Sequence, residues 1–351
     1  MLNKKQSLRA LFFVLILLII WFVLAIFLPK DSNNEDNVVL IAQNGIGSEG
    51  ISQILKDQDL IRSKLAFDIW VFITGKDDRL MAGGYDLSRA MSTHQIVNKL
   101  ITGEVAIEDL IIKPGMDLRD IGWWFENQGM FQAEEMFEIV GFPAVRHFTT
   151  SSPEGPGLPY DFSDQFSFLA DKPGNVSLEG YLYPDTYRIE KGETVQMIAK
   201  KILSNFDQKL SQELRDEITE QKRTIFEVIN LASLLEKEVR TREDKEIVAG
   251  IILKRIRNSW LIQIDATLTY LTGKTSGGLT NEDKKIDSPY NTYKYFNLPL
   301  GPIANPGIDS IEAAVYYRNS PYWFYLTTPE GETKFGQTLE DHNYYKAIYL
   351  K

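Results

Sequence analysis

The run ALFFVLILLIIWFVLAIFL, from Ala10 to Leu28, constrains this chain more than any other feature. It is about 19 residues long without a charge, enough for a helix to cross the hydrocarbon core of a bilayer. A secretory signal core is usually shorter and closes on a small-residue cleavage site, whereas this run ends in Phe27-Leu28-Pro29. Lys4, Lys5 and Arg9 precede it, and Asp31, Glu35 and Asp36 follow. That asymmetry predicts a cytoplasmic tail over residues 1–9, a transmembrane helix over 10–28, and everything after Pro29 outside the cell (inner) membrane. Residues 29–37 form a short polar tether.

The remaining length of the 351-residue chain allows two or three domains with a real core. A net charge of −10 argues against a nucleic-acid partner. The chain has no cysteine, which removes disulfides, thiolate metal sites and thiol nucleophiles. With only His94, His147 and His342, a histidine-rich metal site is not expected either. Chemistry is left to carboxylates, hydroxyls, amides and aromatics.

Residues 38–103 read as a small mixed module. Val38 to Ile41 is a short apolar strand. Ser48 is placed to cap a helix through Leu60 that uses Ile51, Ile54 and Leu55. Phe67 to Ile73 suggests another helix, and AGGYDL (82–87) a turn and strand. Ser92-Thr93-His94-Gln95 carries N-cap chemistry ahead of Ile96, Leu100 and Ile101, with His94 as a surface residue. Residues 104–177 read as a connecting subdomain: a strand over Ile107 to Ile112, a turn at Pro114-Gly115, and a helix from Leu118. Its Trp123-Trp124 pair is expected in the core rather than as a carbohydrate-stacking shelf. Gly141 to Val176, with SSPEGPGLPYDF, is an irregular loop. LEGYLYPDTY (178–187) leaves two readings open: a sugar cleft lined by tyrosines, Glu179 and Asp185, or a tyrosine-rich turn packing on a sheet. A helix from Thr194 to about Leu210 follows.

Thr224 to Asp265 is where the chemistry concentrates. Ile225 to Val239 is apolar at helical spacing yet carries Glu236 and Glu238 into its last turn, although the helix dipole favours carboxylates in the first. A solvated helix end is the plain account. Two residues apart, the pair points to nearly opposite sides. On a helical wheel Glu236 falls among Ile225, Ile229 and Ala232, and Glu238 at the margin near Leu231, Leu234 and Glu227. An apolar surround keeps a carboxyl protonated, as a general acid requires, so periodicity alone selects Glu236. Asp244 to Ile256 is a second amphipathic helix. After it, Gln263-Ile264-Asp265-Ala266-Thr267 alternates polar side chains like one face of a strand or turn. SPYNTY (288–293) offers a row of hydrogen-bonding side chains, and LPLGPIANPG (298–307) is a rigid extended loop. Rigid polar loops beside a carboxylate helix are suited to positioning a substrate. Tyr322 to Leu326 reads as a buried strand, with Lys334-Phe335-Gly336 to Asp341-His342 closing the sheet and His342 structural.

Taken in order and spacing, AGGYDL, LEGYLYPDTY, LASLLEKE, the Q-x-D after the second helix, SPYNTY, LPLGPIANPG and the closing K-F…T-L-x-x-H resemble the endolytic murein transglycosylase (YceG-like) family. The resemblance covers the chain from roughly Val38 to its end. It implies an α+β architecture in which the transmembrane helix is followed by a LysM-like, glycan-binding module (38–103), the connecting subdomain (104–177) and a mixed α+β catalytic domain (178–351). The implied activity is internal cleavage of peptidoglycan glycan strands between N-acetylmuramic acid and N-acetylglucosamine, without water, leaving 1,6-anhydro ends and terminating growing strands. One glutamate would protonate the glycosidic oxygen and then accept the proton of the muramoyl C6 hydroxyl as it attacks the anomeric carbon.

The family's catalytic position, the second Glu of E-K-E, falls on Glu238, so the resemblance overrules the wheel. Q-x-D, Y-N-T-Y and A-x-P-G elements match Gln263, Asp265, Tyr290, Asn291, Thr292, Tyr293, Ala304, Asn305, Pro306 and Gly307. Of these, Gln263, Asp265, Tyr290, Asn291, Thr292, Tyr293 and Asn305 are the expected substrate-binding residues. Val239 departs from the family, which usually has a small polar residue there. Implied partners are peptidoglycan glycan strands and cell-wall synthases of the elongation or division machinery; no cofactor or metal is expected. Two rivals remain: a noncatalytic envelope glycan-binding scaffold, and a hydrolytic muramidase that uses water.

Overall fold

The apolar run forms α1 (Lys4–Phe27), whose segment Gln6–Phe27 has a mean hydropathy of 3.3. In the computed structural model, which describes residues 4–43, 45–148 and 155–350, Leu11, Phe13, Leu17 and Leu24 on this helix are all exposed. A helix apolar on every side and left uncovered over most of its length is compatible with a membrane span.

The chain forms two compact units. The first runs to Asp109 and includes Arg188–Thr194; the second comprises Leu110–Tyr187 and the chain from Val195 onward. The chain passes between them in β3 (Ile107–Ile111) and returns in β4 (Thr186–Glu190).

In the first unit β1 (Asn37–Ala42) pairs antiparallel with β2 (Gly83–Ser88), Leu40 opposite Tyr85. Between them in sequence lie α2 (Gly47–Asp57) and α3 (Lys64–Ile73), and α4 (Thr93–Thr102) follows. Leu40, Leu55, Phe67, Tyr85, Leu87, Ile96 and Leu100 share one core, each such side chain contributing about 1.5–3 kcal/mol by burial. The Ser92–Gln95 capping box is present on α4. Ser48 does not cap α2, because that helix already begins at Gly47 with Ile46 as N-cap. His94 is more than a surface residue: it is half-buried, its ring 5.3 Å from that of Phe27 and 5.9 Å from that of Trp70.

The second unit opens with α5 (Leu118–Asn127) and α6 (Ala133–Val140). Ile121 and Phe125, four apart, take the core face of α5, and Trp123 lies on the opposite side at 66% exposure. The expectation of a buried tryptophan pair is therefore corrected at Trp123, while Trp124 is half-buried with its ring 4.9 Å from that of Phe125. Residues 151–154 of the proline- and glycine-rich stretch lie outside the described residues. The two readings of LEGYLYPDTY resolve toward packing, though against helices rather than a sheet: the rings of Tyr181 and Tyr183 lie 5.6 and 6.0 Å from that of Phe206. Tyr181, Tyr183 and Tyr187 are buried, and Glu179 is fully buried, accepting hydrogen bonds from Leu118 N–H, the Tyr270 hydroxyl and the Asn305 amide. Gly180 has a φ of +89°, and a Cβ there would come within 2.6 Å of Pro302.

Helices α7 (Val195–Lys209) and α8 (Gln212–Glu220) lead to α9 (Ile225–Glu238), started by a Thr224–Glu227 capping box. Every residue from Val228 to Leu235 is buried, so α9 is the central helix of this unit, packed by α10 (Arg242–Arg257), α11 (Asp265–Thr272) and α12 (Ile308–Val315). The alternating segment after α10 does not become a strand, since Asp265 already opens α11. The chain closes with β5 (Phe324–Thr327) antiparallel to β6 (Thr333–Gly336), then α13 (Leu339–Tyr349). Of β5 only Leu326 is buried, so this is a half-exposed hairpin rather than a core strand. His342 belongs to α13, not the sheet, and stacks on Phe324 at 5.6 Å.

Candidate active site

The last two turns of α9 carry two different polar faces. Asn230, Ser233 and Glu236, spaced i, i+3 and i+6, form one stripe along an otherwise apolar helix. Asn230 Nδ2 donates to the Pro299 carbonyl at 2.7 Å, Ile303 N–H donates to Ser233 Oγ at 3.1 Å, and Gly307 N–H donates to Glu236 Oε2 at 3.0 Å. Three rungs thus fasten the backbone of LPLGPIANPG to α9. Glu236 also accepts from Ser310 Oγ at 2.6 Å and pairs with Lys245 Nζ at 3.4 Å, where Lys245 is only 5% exposed. A cavity of about 370 Å³ lies beside this pair, bounded by Pro114, Asp185, Gly307 and Asp309. The apolar surround that the wheel assigns to Glu236 is absent: its oxygens face a cation and two donors.

Glu238 ends the helix on the other side. The Tyr325 hydroxyl donates to its Oε2 at 3.0 Å, and Thr327 Oγ1 donates to its main-chain carbonyl at 3.1 Å. Tyr325 and Thr327 are two apart on β5 and so share a face, which seats the hairpin on the end of α9. The next residue, Val239, leaves the helix in extended conformation with its side chain buried, so an apolar residue fits where the family pattern is polar. Arg255 contributes its charge without a direct bond, because its donors go to the carbonyls of Trp323 and Ile262.

Burial dominates the acidity of Glu238 and pushes it up to about 7, with the charge of Asp265 acting in the same direction. The Tyr325 bond, the Ala266 N–H at the start of α11 and Arg255 oppose it and keep the rise from going further. A carboxyl of this kind holds its proton near neutrality and can also accept one back.

The expected substrate residues divide into two groups. Gln263 and Asp265 are exposed and Tyr293 half-buried, with the Tyr293 hydroxyl bonded to Asp265. The turn that presents them is set by Gln263, in left-handed conformation at φ 53°, whose N–H donates to the Thr292 carbonyl. Ile262 and Ile264 point inward, so the alternation is real although the segment is a turn entering α11. Tyr290, Asn291, Thr292 and Asn305 are all buried. The Tyr290 ring packs on Tyr270 at 5.5 Å. Asn291 Nδ2 donates to the carbonyls of Lys284 and Ile286, and Thr292 Oγ1 accepts from Ile264 N–H. Asn305 Oδ1 accepts from Gly180 and Leu182 N–H while its Nδ2 donates to the Met116 carbonyl. All four are thus enclosed, and Asn291, Thr292 and Asn305 tie together the backbone of the loops around them.

Sequence reasoning passed over Tyr325 and Thr327, which are 87 and 89 residues from Glu238 in the chain and reach it only through the fold. It also passed over Lys245 and Ser310, for which one-dimensional spacing gives no signal, since they meet Glu236 only through tertiary packing.

The YceG-like family model matches residues 40–347. A Bacillus subtilis protein named endolytic murein transglycosylase is 28% identical over 324 residues, 92% of this chain and 87% of that protein. One of the same name from Streptococcus pneumoniae is 28% identical over 336 residues, but the chain spans only 60% of its length. The crystal structure of a yceG-like protein from Listeria monocytogenes is similar at a TM-score of 0.56 and 30% identity, over 88% of this chain and 99% of that one. With a match over nearly its whole length and a shared fold, the chain belongs to the YceG-like family.

Proposed function

We propose that this chain is a membrane-anchored lytic transglycosylase that cuts peptidoglycan glycan strands internally, with Glu238 as its single acid and base. The observation that carries the reading is the contrast within E-K-E: Glu236 is tied to Lys245 and the 298–307 loop, while Glu238 is pushed up to about 7 by burial. In the first step Glu238 gives its proton to the oxygen linking N-acetylmuramic acid to N-acetylglucosamine as the bond to the anomeric carbon breaks. The resulting carboxylate then takes the proton of the muramoyl C6 hydroxyl as O6 closes on that carbon. The proton balance returns to its start, water is not consumed, and the product is a 1,6-anhydro end. Gln263, Asp265 and Tyr293 are the residues that touch the glycan. Tyr290, Asn291, Thr292 and Asn305 shape the site from behind it.

The names of the Bacillus and Streptococcus relatives support this reading. In it α1 crosses the inner membrane with the N-terminus cytoplasmic, the 38–103 module takes the LysM-like glycan-binding role, and cleavage ends strands beside cell-wall synthases. A second reading has one observation in its favour. Asp265 lies close enough to Glu238 for its charge to raise the acid, and two carboxylates flanking a bond are the equipment of hydrolysis. Mass spectrometry of digested peptidoglycan separates the two. Anhydro-terminated products from the wild type, and none from Glu238→Gln, are expected. Reducing ends would establish the muramidase, and no cleavage by the wild type would leave the scaffold.

A further inference from the structure

The amphipathic helix α3 carries apolar residues on the wrong side for a soluble module. Ala66 and Trp70 pack against α1, and Phe67 and Val71 enter the module core. A third set, Leu65, Ile69, Phe72 and Ile73, is exposed at 60%, 39%, 78% and 60%. These four fall within about 100° of arc on the helix, directly next to the Ala66–Trp70 stripe. The polar side of α3, with Lys64 and Asp68 paired at 2.9 Å, lies on the far side of that arc. The exposed apolar strip is therefore continuous with the surface by which α3 meets α1.

The height of α3 along α1 is fixed by its contacts. The Trp70 ring lies 6.4 Å from that of Phe22 and 5.4 Å from that of Phe27. Ala66 packs with Ala25 and Ile26, and Arg62, just before α3, donates to the carbonyl of Pro29 at 2.6 Å. From Arg62 to Trp70 the chain thus descends alongside the last turns of the apolar helix. Phe22 stands five residues before Phe27, about 7.5 Å further in at 1.5 Å per residue. Interfacial helices bury an apolar face by roughly 5–10 Å at the headgroup–acyl boundary.

We propose that α3 is a second, interfacial membrane element: its Leu65–Ile69–Phe72–Ile73 face is immersed in the outer-leaflet boundary beside α1. The occupant of this face is a lipid surface. Ten residues are too few to span a bilayer, and the charged run Lys76-Asp77-Asp78-Arg79 just beyond α3 limits it to shallow insertion. Thr93 strengthens the joint by donating to the Ala25 carbonyl at 3.0 Å, so the first unit is held to the membrane by a docked pair of helices rather than by a free tether. The proposal rests on the reading of α1 as a membrane anchor.

The absence of cysteine makes the test direct. Single-cysteine variants of the full chain, Phe72→Cys, Ile73→Cys, Gln53→Cys and Leu17→Cys, are spin-labelled and reconstituted in phospholipid nanodiscs. Collision with oxygen, which partitions into lipid, is compared with collision with an aqueous nickel chelate. Labels at 72 and 73 are expected to favour oxygen several-fold over the label at Gln53, approaching that at Leu17. If Leu17 favours oxygen while 72 and 73 match Gln53, the α3 proposal is overturned and the anchor stands. If Leu17 itself favours the aqueous chelate, the anchor reading has failed. Dipolar broadening at 72 that vanishes on dilution with unlabelled chain would assign the face to a second copy and also overturn the proposal.

Discussion

Glu236 and Glu238 are the same residue type, two positions apart on one helix, and the fold treats them in opposite ways. Glu236 is enclosed with a cation and two hydrogen-bond donors, all of which favour its charge. Glu238 is enclosed with a tyrosine hydroxyl and no directly bonded cation, and burial raises it to about 7. The first arrangement is that of a structural latch; the second suits the proton carrier proposed for Glu238. Burial alone does not distinguish a catalytic carboxyl from a structural one; what distinguishes them is whether the groups enclosing it satisfy its charge.

Exchanging each glutamate for glutamine should pull these roles apart. The largest effect is expected in Glu238→Gln, a loss of roughly 10²–10⁴-fold in the rate of glycan cleavage, followed by mass spectrometry, with the fold intact. Glu236→Gln should retain cleavage in the folded fraction but lose about 3–5 kcal/mol of stability in denaturant unfolding, because Lys245 is left buried without its partner. Adding Lys245→Met to it should recover much of that loss. If Glu236→Gln abolishes cleavage in stable protein while Glu238→Gln cleaves normally, the roles are reversed.

A third effect has the opposite sign. A carboxyl raised in the folded state contributes stability that is fully present below its unfolded value near 4.5 and is lost as pH rises through about 7. Glu238→Gln removes that loss. At about pH 8 the variant should therefore be more stable than the wild type, by up to about 3 kcal/mol, with the gain vanishing below about pH 4. Unfolding curves at the two pH values test it, and an equal difference at both would refute the buried-acid account. One Glu→Gln exchange should thus weaken the protein and the other strengthen it.

How much of this was legible in the sequence follows from how local each interaction is. The apolar run, the capping box at Ser92 and the β1 strand depend on neighbours in the chain, and they stand in the structure where periodicity and cap chemistry put them. The helical wheel failed at Glu236 because it treats an apolar helix face as an apolar environment. Asn230, Ser233 and Glu236 form a polar seam whose partners lie about 70 residues away, and only packing reveals them. Alternation over Gln263 to Thr267 leaves strand and turn open for a related reason: a left-handed residue at Gln263 turns the chain into α11, so the turn is what forms. Tyr290, Asn291, Thr292 and Asn305 were expected on the substrate by pattern, and the structure buries all four.

The smallest expected effect concerns Tyr325, and it sharpens the contrast most finely. Its hydroxyl donates to Glu238 and stabilises the charged form, opposing the rise that burial produces. Tyr325→Phe keeps the ring and removes that donor. The acid should then hold its proton to higher pH, so the alkaline limb of kcat/KM, expected near 7 in the wild type because burial raises Glu238 to about 7, should move upward by about one pH unit. A purely structural tyrosine would lower the rate at every pH and leave the limb where it was. A limb that moves downward would mean that it reports a group other than Glu238, and the assignment of general acid would have to pass to that group.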